Sequence, residues 1–168
     1  MKKFELTTES IDVNGVKLYR IKSLINFGAV KAGKLGGYVE KEENLSQVDT
    51  AWVFGNAWVS GNARVYDDAR VYDDARVYGN AWVYDDAQVS GDAQVSGDAD
   101  YICLKGFGSR NRSTTMFRTK NGDIAVSCGC FGGTLEEFEN KVKETHGDNK
   151  FAREYLALVD AAKIHFEV

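Results

Sequence analysis

The strongest candidate for ligand chemistry is a basic segment, residues 105–120. It contains five cationic side chains, two glycines and two phenylalanines, and no acidic residue. Glycine N–H groups, arginine forks and an aromatic surface together suit a phosphate or another anion. An alternative is a surface loop that docks on an acidic part of its own chain. The predicted ligand-binding residues are Lys105, Gly106, Phe107, Gly108, Ser109, Arg110, Arg112 and Arg118.

A second candidate combines Cys128, Cys130 and His146. In a strand, the Cys-x-Cys spacing places both sulfurs on one side, and a thiolate beside a histidine can act as a nucleophile or bind zinc. Cys103 and His165 are the other donors of this kind, and their positions are open at this point. The alternative is cysteines buried inertly in an apolar strand. We predict no metal and no cofactor, and the pattern leaves open whether these residues form a site.

Acidic pairs recur at the positions of predicted turns. Asp67 and Asp68 lie eighteen residues before Asp85 and Asp86. Carboxylates stacked along one edge suit calcium or magnesium. The alternative is a solvated edge on which aspartate side chains accept hydrogen bonds from backbone amides. The sequence does not decide between cation binding and capping.

These candidates are positioned by a repeat of six residues in the middle of the chain. Alanine recurs at every sixth position from Ala51 to Ala99, and valine follows two places later from Val53 to Val95. A period of six does not fit a helix, whereas Ala-x-Val places both side chains on one face of a short strand. Pairs of Gly, Asp and Asn then supply the turns. Stacked coils can bury this apolar face, which a single strand cannot.

The Val-x-Gly/Asp-x-Ala-x pattern resembles the hexapeptide signature of the left-handed parallel β-helix proteins. This resemblance implies a triangular prism, three hexapeptides per coil and a left-handed wind. The predicted fold class is therefore mainly β. We expect an N-terminal β-hairpin cap over residues 1–36, a left-handed parallel β-helix over residues 37–102, and an α+β module with a β-hairpin and two helices over residues 103–168.

If one coil is eighteen residues, three outward columns form, and each stacks a tryptophan on an arginine. A cation–π contact is within reach in each column. The columns either stabilise the prism or form an interface, as in the acyltransferases of the resembled class, which are trimers. A homo-oligomer, trimer or dimer, is expected. The candidate interface residues are Trp52, Trp58, Trp82, Arg64, Arg70 and Arg76.

The flanking segments carry turn and capping signals. Asn14-Gly15 predicts a hairpin in the cap, and Asn121-Gly122 predicts a second one between strands at 114–120 and 123–128. Thr134 followed by Glu137 forms a capping box at the start of a helix that ends near His146. A second helix is expected after Asn149. Its apolar stripe comprises Phe151, Tyr155, Leu158 and Val159.

The resembled class includes acyltransferases and carbonic anhydrases, which use histidines in or between the coils. The repeat has no histidine between Asp49 and Ile102, and the chain has only two. Catalysis is therefore disfavoured. The chain also resembles uncharacterised bacteriophage and prophage proteins through residues 36–46, 128–138 and 145–149. We predict a non-catalytic phage-type accessory protein that binds an anionic small molecule, such as a nucleotide defence signal, or a host protein. A hexapeptide acyltransferase and a purely structural protein are the alternatives.

Composition narrows the partners and the compartment. The net charge is −4, and residues 49–102 carry ten Asp against three Arg, so a nucleic-acid partner is not expected. No apolar run approaches the length of a membrane span, and the polar start lacks the apolar stretch of a signal peptide. Three cysteines argue against a disulfide-stapled secreted fold. We expect a cytoplasmic protein, in the host cytoplasm if a phage encodes it.

Overall fold

The computed structural model describes residues 1–168, and the chain is mainly β with two C-terminal helices. The N-terminal strands are β1 (Phe4–Val13), β2 (Val16–Ser23) and β3 (Leu35–Val39). Eight two-residue strands follow: β4 (Trp52–Val53), β5 (Trp58–Val59), β6 (Arg64–Val65), β7 (Arg70–Val71), β8 (Arg76–Val77), β9 (Trp82–Val83), β10 (Gln88–Val89) and β11 (Gln94–Val95). The C-terminal elements are β12 (Tyr101–Phe107), β13 (Arg112–Arg118), β14 (Ile124–Cys128), β15 (Phe131–Thr134), α1 (Leu135–His146) and α2 (Lys150–Phe166).

The short strands form a β-solenoid of about three turns. The strands from β4 to β8 each pair in parallel with the strand eighteen residues further along, as in Trp58↔Arg76 and Arg64↔Trp82. The first face contains β4, β7 and β10, and the second contains β5, β8 and β11. The third face contains β6 and β9. The predicted register of eighteen residues per coil is confirmed.

Alanine and valine fill the interior of the solenoid. Every alanine from Ala51 to Ala93 and every valine from Val53 to Val95 in the repeat is fully buried. A small and a branched side chain suit the narrow space between strands on three faces, since the core must pack without voids. The single apolar cluster that results continues into both ends of the solenoid.

The acidic turns are held by hydrogen bonds between coils. Asp67 and Asp85 adopt left-handed backbone conformations with φ of 58° and 54°. The Asp49 Oδ2 atom accepts a hydrogen bond from the Asp67 N–H at 2.7 Å, and Thr50 donates to Asp68 in the coil above. These contacts correspond to the capping alternative, in which Asp side chains satisfy backbone amides. No three acidic, histidine or cysteine side chains are grouped closely enough to hold a metal ion.

The N-terminal segment closes one end of the solenoid. The β1–β2 hairpin turns at Asn14-Gly15, as predicted, and β3 joins β2 to β5 so that the second face becomes a six-stranded sheet. The buried Lys3 donates from Nζ to the Ala51 carbonyl at 2.9 Å, and Asn44 donates from Nδ2 to the Ala63 carbonyl at 2.8 Å. Strand-edge carbonyls that a further coil would otherwise bind are thereby satisfied.

The expectation that Trp52 is exposed on an outward column is wrong. Its side chain is fully buried, with its ring edge-on to Phe4 at 6.2 Å and to Phe27 at 5.3 Å between centroids. The N-terminal segment folds over this part of the first face, so the position that is outward in the repeat becomes part of the core. Trp52 therefore joins the cap to the solenoid and is not available for an interface.

The C-terminal module closes the opposite end. Strands β12 to β15 form an antiparallel sheet in chain order, and α1 and α2 share a buried cluster with it. The module meets the last coil through the Gln88 N–H, which donates to Thr115 Oγ1 at 3.0 Å, and through the Lys120 N–H, which donates to the Asp92 carbonyl at 3.0 Å. Strand β12 begins at Tyr101 and so crosses the predicted boundary at residue 103.

The predicted turn and helix ends of this module are confirmed. Strands β13 and β14 are linked across Asn121-Gly122, and Thr134 with Glu137 forms the predicted capping box of α1. Strands β12 and β15 were not predicted. The supposed loop around residue 107 is a hairpin, because β12 continues to Phe107 and β13 starts at Arg112. Neither helix is both long and apolar enough to cross a bilayer.

Candidate functional site

The backbone N–H of Gly108, one of the two glycines predicted to bind an anion, already binds a carboxylate of the same chain. The Gly108 N–H donates to Glu154 Oε2 at 2.9 Å, and this hydrogen bond lowers the pKa of Glu154. The Tyr155 ring packs so closely on Gly108 that a Cβ there would overlap it. An external anion would have to displace Glu154 to reach this amide.

Two of the predicted cationic ligands are also engaged within the molecule. Lys105 pairs with Asp86, and the hydrogen bond from its ammonium raises the pKa of Lys105. Arg118 donates from Nη2 to the Phe166 carbonyl at 2.8 Å, and its Nε lies 3.6 Å from Asp100. Asp86 and Asp100 both belong to the acidic repeat region. These contacts correspond to the alternative in which the basic segment docks on its own chain.

The remaining predicted ligands lie at the tip of the β12–β13 hairpin. Gly106 and Ser109 are exposed, Phe107 is half-buried, and Arg110 and Arg112 are exposed. Neither arginine takes part in any of the nine ion pairs of the molecule. The hairpin therefore presents two exposed cations that form no ion pair within the chain.

The cysteines and histidine of the second candidate do not form a reactive cluster. Strand β14 ends at Cys128 and the chain turns at Gly129, with φ of 65°, so the expectation of two sulfurs on one side of a strand is wrong. Cys128 Sγ lies 3.9 Å from the Tyr155 hydroxyl, and His146 stacks on the Tyr155 ring at 5.9 Å between centroids. Burial raises the pKa of Tyr155 to about 12. A neutral phenol thus separates the thiol from the imidazole.

Cys103 is held in a similarly unreactive setting. Burial raises the pKa of its thiol, and Thr115 Oγ1 donates to its sulfur at 3.6 Å. A raised thiol pKa reduces the fraction of nucleophilic thiolate near neutral pH. Cys103 is therefore a packing residue where the module meets the solenoid.

Two of the three outward columns stack as predicted. The Arg76 guanidinium lies 5.7 Å from the Trp58 ring centroid, and the Arg64 guanidinium lies 5.9 Å from the Trp82 ring centroid. Arg70 has no such contact, because its neighbour Trp52 is buried. The pairs lie on three different faces, so the six candidate interface residues do not form one common surface.

The second face carries a groove, which we call the Trp58 groove. Its volume is about 310 Å³. One wall is the tip of the β1–β2 hairpin, residues 13–18, and the other contains Trp58, Arg76, Tyr78 and Gln94. The Trp58 and Tyr78 rings are 5.9 Å apart between centroids and are inclined at 39°. Parallel pairing of β5, β8 and β11 holds Trp58, Arg76 and Gln94 in one column.

The electrostatic character of the Trp58 groove is the reverse of that of the solenoid around it. Its nine lining residues include Arg76 and Ser60 but no carboxylate. Arg76 forms no ion pair within the chain. The depression beside Arg64, by contrast, is also lined by Glu43. An uncompensated guanidinium over an aromatic ring is what recognises an anionic group on a flat molecule.

The third face and its adjoining corner expose an aromatic cluster that the column pattern does not predict, which we call the Trp82 surface (Tyr66, Trp82 and Tyr84). Tyr66 stacks on Tyr84 at 5.3 Å between centroids and meets Trp82 edge-on at 6.1 Å. Trp82 is 47% exposed and Tyr84 is 42% exposed. The sequence contains a signal for this stacking, because Tyr66 and Tyr84 each directly follow a repeat valine and are eighteen residues apart.

Three carboxylates act on Tyr66 in the Trp82 surface, and the Arg64 guanidinium stacks on the Trp82 ring. Burial raises the pKa of Tyr66, and the neighbouring Tyr84, Asp67, Asp85 and Asp98 raise it further. Aromatic rings surrounded by carboxylates favour a cationic partner, since both the ring faces and the acids attract positive charge.

The fold and these surfaces define a β-solenoid protein with capped ends. In agreement, the family described as YdcK Beta solenoid repeat matches residues 57–73 and, in a second copy, residues 69–85. The matched stretch covers five strands, namely β5 and β8 of the second face, β6 and β9 of the third and β7 of the first, and it is well under half of the chain. No curated protein matches the chain.

Proposed function

We propose that the protein is a non-catalytic binding protein whose β-solenoid holds a small planar anion in the Trp58 groove. The observation that carries this proposal is the free guanidinium of Arg76, stacked 5.7 Å from the Trp58 ring centroid in a groove without carboxylates. Elsewhere the repeat region is strongly acidic, with ten Asp over residues 49–102. An anion is therefore repelled by most of the solenoid and attracted at this groove.

The groove has the size and the mixed chemistry of a small-molecule site. Its volume of about 310 Å³ lies at the lower end of the range of roughly 300–1,000 Å³ for ligand pockets. Trp58 and Tyr78 supply flat apolar surface, and Val16 and Leu18 supply an aliphatic wall. Gln94 and Ser60 offer hydrogen bonds at the rim. A ring that carries a carboxylate or a phosphate matches this combination.

The lack of reactive groups in the groove supports a binding role over the acyltransferase alternative. None of its lining residues is a histidine, a cysteine or an acid that could act as a general base. His146 stacks on Tyr155, and the His165 ring lies 3.1 Å from the Ala99 carbonyl. Both histidines thus lie in the C-terminal helices and outside the groove. Consumption of acetyl-CoA by the protein, abolished in His146→Ala, would contradict this part of the proposal.

The finer class of the solenoid and its biological setting are part of the same proposal. We place the solenoid among the left-handed hexapeptide proteins on the strength of its Val-x-Gly/Asp-x-Ala-x pattern, and an experimental crystal structure would determine the hand. A phage-type accessory role in a host cytoplasm rests on the resemblance of the flanking segments. Transcription of the gene during phage growth would test that role.

The binding proposal is tested by NMR on the three tryptophan indole N–H signals, assigned with Trp→Phe variants. The probes are benzoate and phenyl phosphate, which differ in their anionic group, and benzamide as the neutral counterpart. We expect at least one anionic probe to shift the Trp58 signal at millimolar concentration while benzamide leaves it unchanged. We also expect Arg76→Gln to weaken binding about tenfold or more, because a charged hydrogen bond is lost.

Arg70→Gln provides the matched control. Arg70 occupies the same position of the repeat as Arg76 but lies on the first face, outside the groove. The Arg70→Gln variant should bind the probes as tightly as the wild type does. The proposal is wrong if neither anion shifts Trp58, if benzamide binds equally well, or if Arg76→Gln binds normally. Shifts confined to the amides of residues 108–112 would instead place the anion at the hairpin, as the sequence predicted.

A further inference from the structure

Residues of the flanking segments bind the first and the last coil, so another chain cannot simply extend the solenoid at either end. Lys3 and Asn44 bind the strand-edge carbonyls at the N-terminal end. Thr115 and Lys120 bind the last coil at the C-terminal end. A second chain that continued the parallel stack would have to displace these contacts, so we look for an association surface on the side of the solenoid.

The Trp82 surface is the most apolar exposed region on a lateral face of the solenoid. Trp82 and Tyr84 are 47% and 42% exposed, and Val48, which precedes Tyr66 by one coil, is 95% exposed. A depression of about 360 Å³ between Tyr66, Trp82 and Arg64 lies beside them. Exposed aromatic residues of this kind are enriched where proteins bind proteins.

The chain itself contains a segment with the complementary charge. Arg110 and Arg112 are exposed at the β12–β13 hairpin tip and form no ion pair within the molecule. Asp67 and Asp85 are exposed beside the Trp82 surface and contribute to the raised pKa of Tyr66. A guanidinium can stack on an exposed indole or phenol ring while it pairs with a neighbouring carboxylate.

We propose that the Trp82 surface binds the Arg110–Arg112 hairpin tip of a second copy of this chain. The contact would neutralise the two free cations and cover the exposed aromatic rings. It is independent of the Trp58 groove, which lies on another face, so either proposal can fail alone.

The test is the molar mass by light scattering after size-exclusion chromatography, at tens of micromolar protein and low salt. We expect the wild type to form a dimer or a trimer. Arg110→Glu combined with Arg112→Glu should raise the dissociation constant about tenfold or more, because close charge pairs across the interface are lost. Asp67→Asn combined with Asp85→Asn should do the same, since asparagine tolerates the left-handed backbone at these turns.

Asp73→Asn is the matched control. Asp73 has the same turn conformation, with φ of 58°, and accepts an equivalent hydrogen bond from the coil above, but it is outside the set of carboxylates that act on Tyr66. The Asp73→Asn substitution should leave the molar mass unchanged. A monomeric wild type overturns the proposal. An oligomer that persists in both double variants also overturns it, since the interface would then lie elsewhere. Equal urea midpoints of the wild type and the variants would show that all of them are folded.

Discussion

Gly36→Ala tests the junction between the N-terminal cap and the first coil. Gly36 lies in β3 with its Cα against the solenoid. A Cβ there would be 2.6 Å from the Val53 carbonyl oxygen, 2.6 Å from Ile21 Cγ1 and 2.7 Å from Trp52 Cζ2. Ordinary contacts between such atoms are about 3.5–4.0 Å. All three neighbours are buried, and one is backbone, so β3 itself has to move away.

The expected cost follows from that displacement. Overpacking of a closed core costs about 1–3 kcal/mol. Movement of β3 also strains the hydrogen bonds from the Tyr38 N–H to the Ala57 carbonyl and from the Glu40 N–H to the Val59 carbonyl, at 2.9 and 3.0 Å. Each contributes about 1 kcal/mol. Alanine also reduces the conformational entropy of the unfolded chain relative to glycine, which offsets about 0.4–1 kcal/mol of the loss. We therefore expect a net loss of about 2–4 kcal/mol.

Urea unfolding followed by tryptophan fluorescence measures this loss. Gly97→Ala is the control, because a Cβ at Gly97 meets nothing within 4 Å and its φ of −153° is accessible to alanine. The control should be neutral or stabilised by up to about 1 kcal/mol. If Gly36→Ala were as stable as Gly97→Ala, the close contact of β3 with the first coil would be refuted.

Three further predictions concern residues that close the N-terminal end or stand outside it. In urea denaturation, Trp52→Ala should lose about 3–5 kcal/mol of unfolding free energy, whereas Trp82→Ala should lose less than about 1 kcal/mol. Equal losses would contradict the burial of Trp52. Asn44→Ala should lose about 1–3 kcal/mol in a thermal melt because the buried Ala63 carbonyl and the partly buried Gly61 carbonyl lose their donor, whereas an unchanged melt would exclude this capping role. Burial lowers the pKa of Lys3 below 10.5, against the opposing effect of the Asp49 carboxylate. The unfolded chain binds more protons between the lowered pKa and 10.5, so stability should rise with pH there, and Lys3→Met should flatten this rise.

The coil geometry could be predicted because the same pattern of core and turn residues recurs in every coil. Alanine and valine alternate with turn pairs so regularly that strand position, burial and the eighteen-residue register all follow from one coil. The capping box at Thr134 and the Asn121-Gly122 turn were equally local. In each case the determining residues lie within a few positions of one another, so no tertiary contact has to be known in advance.

The failures arose where distant segments meet. Trp52 has the same local sequence as an outward position, and only the packing of Phe4 and Phe27 on it makes it core. The basic segment looked free because its partners are far along the chain, with Glu154 lying 46 residues from Gly108. The Trp58 groove depends on the reach of the β1–β2 hairpin over the second face, which no periodicity encodes.

A crystal structure of the protein grown with phenyl phosphate tests the central claim most directly. Binding in the Trp58 groove predicts the phenyl ring against Trp58 or Tyr78 and the phosphate within hydrogen-bonding distance of the Arg76 guanidinium. Phosphate density at Arg110 and Arg112, or an empty groove at a concentration that saturates the NMR signal, would contradict it.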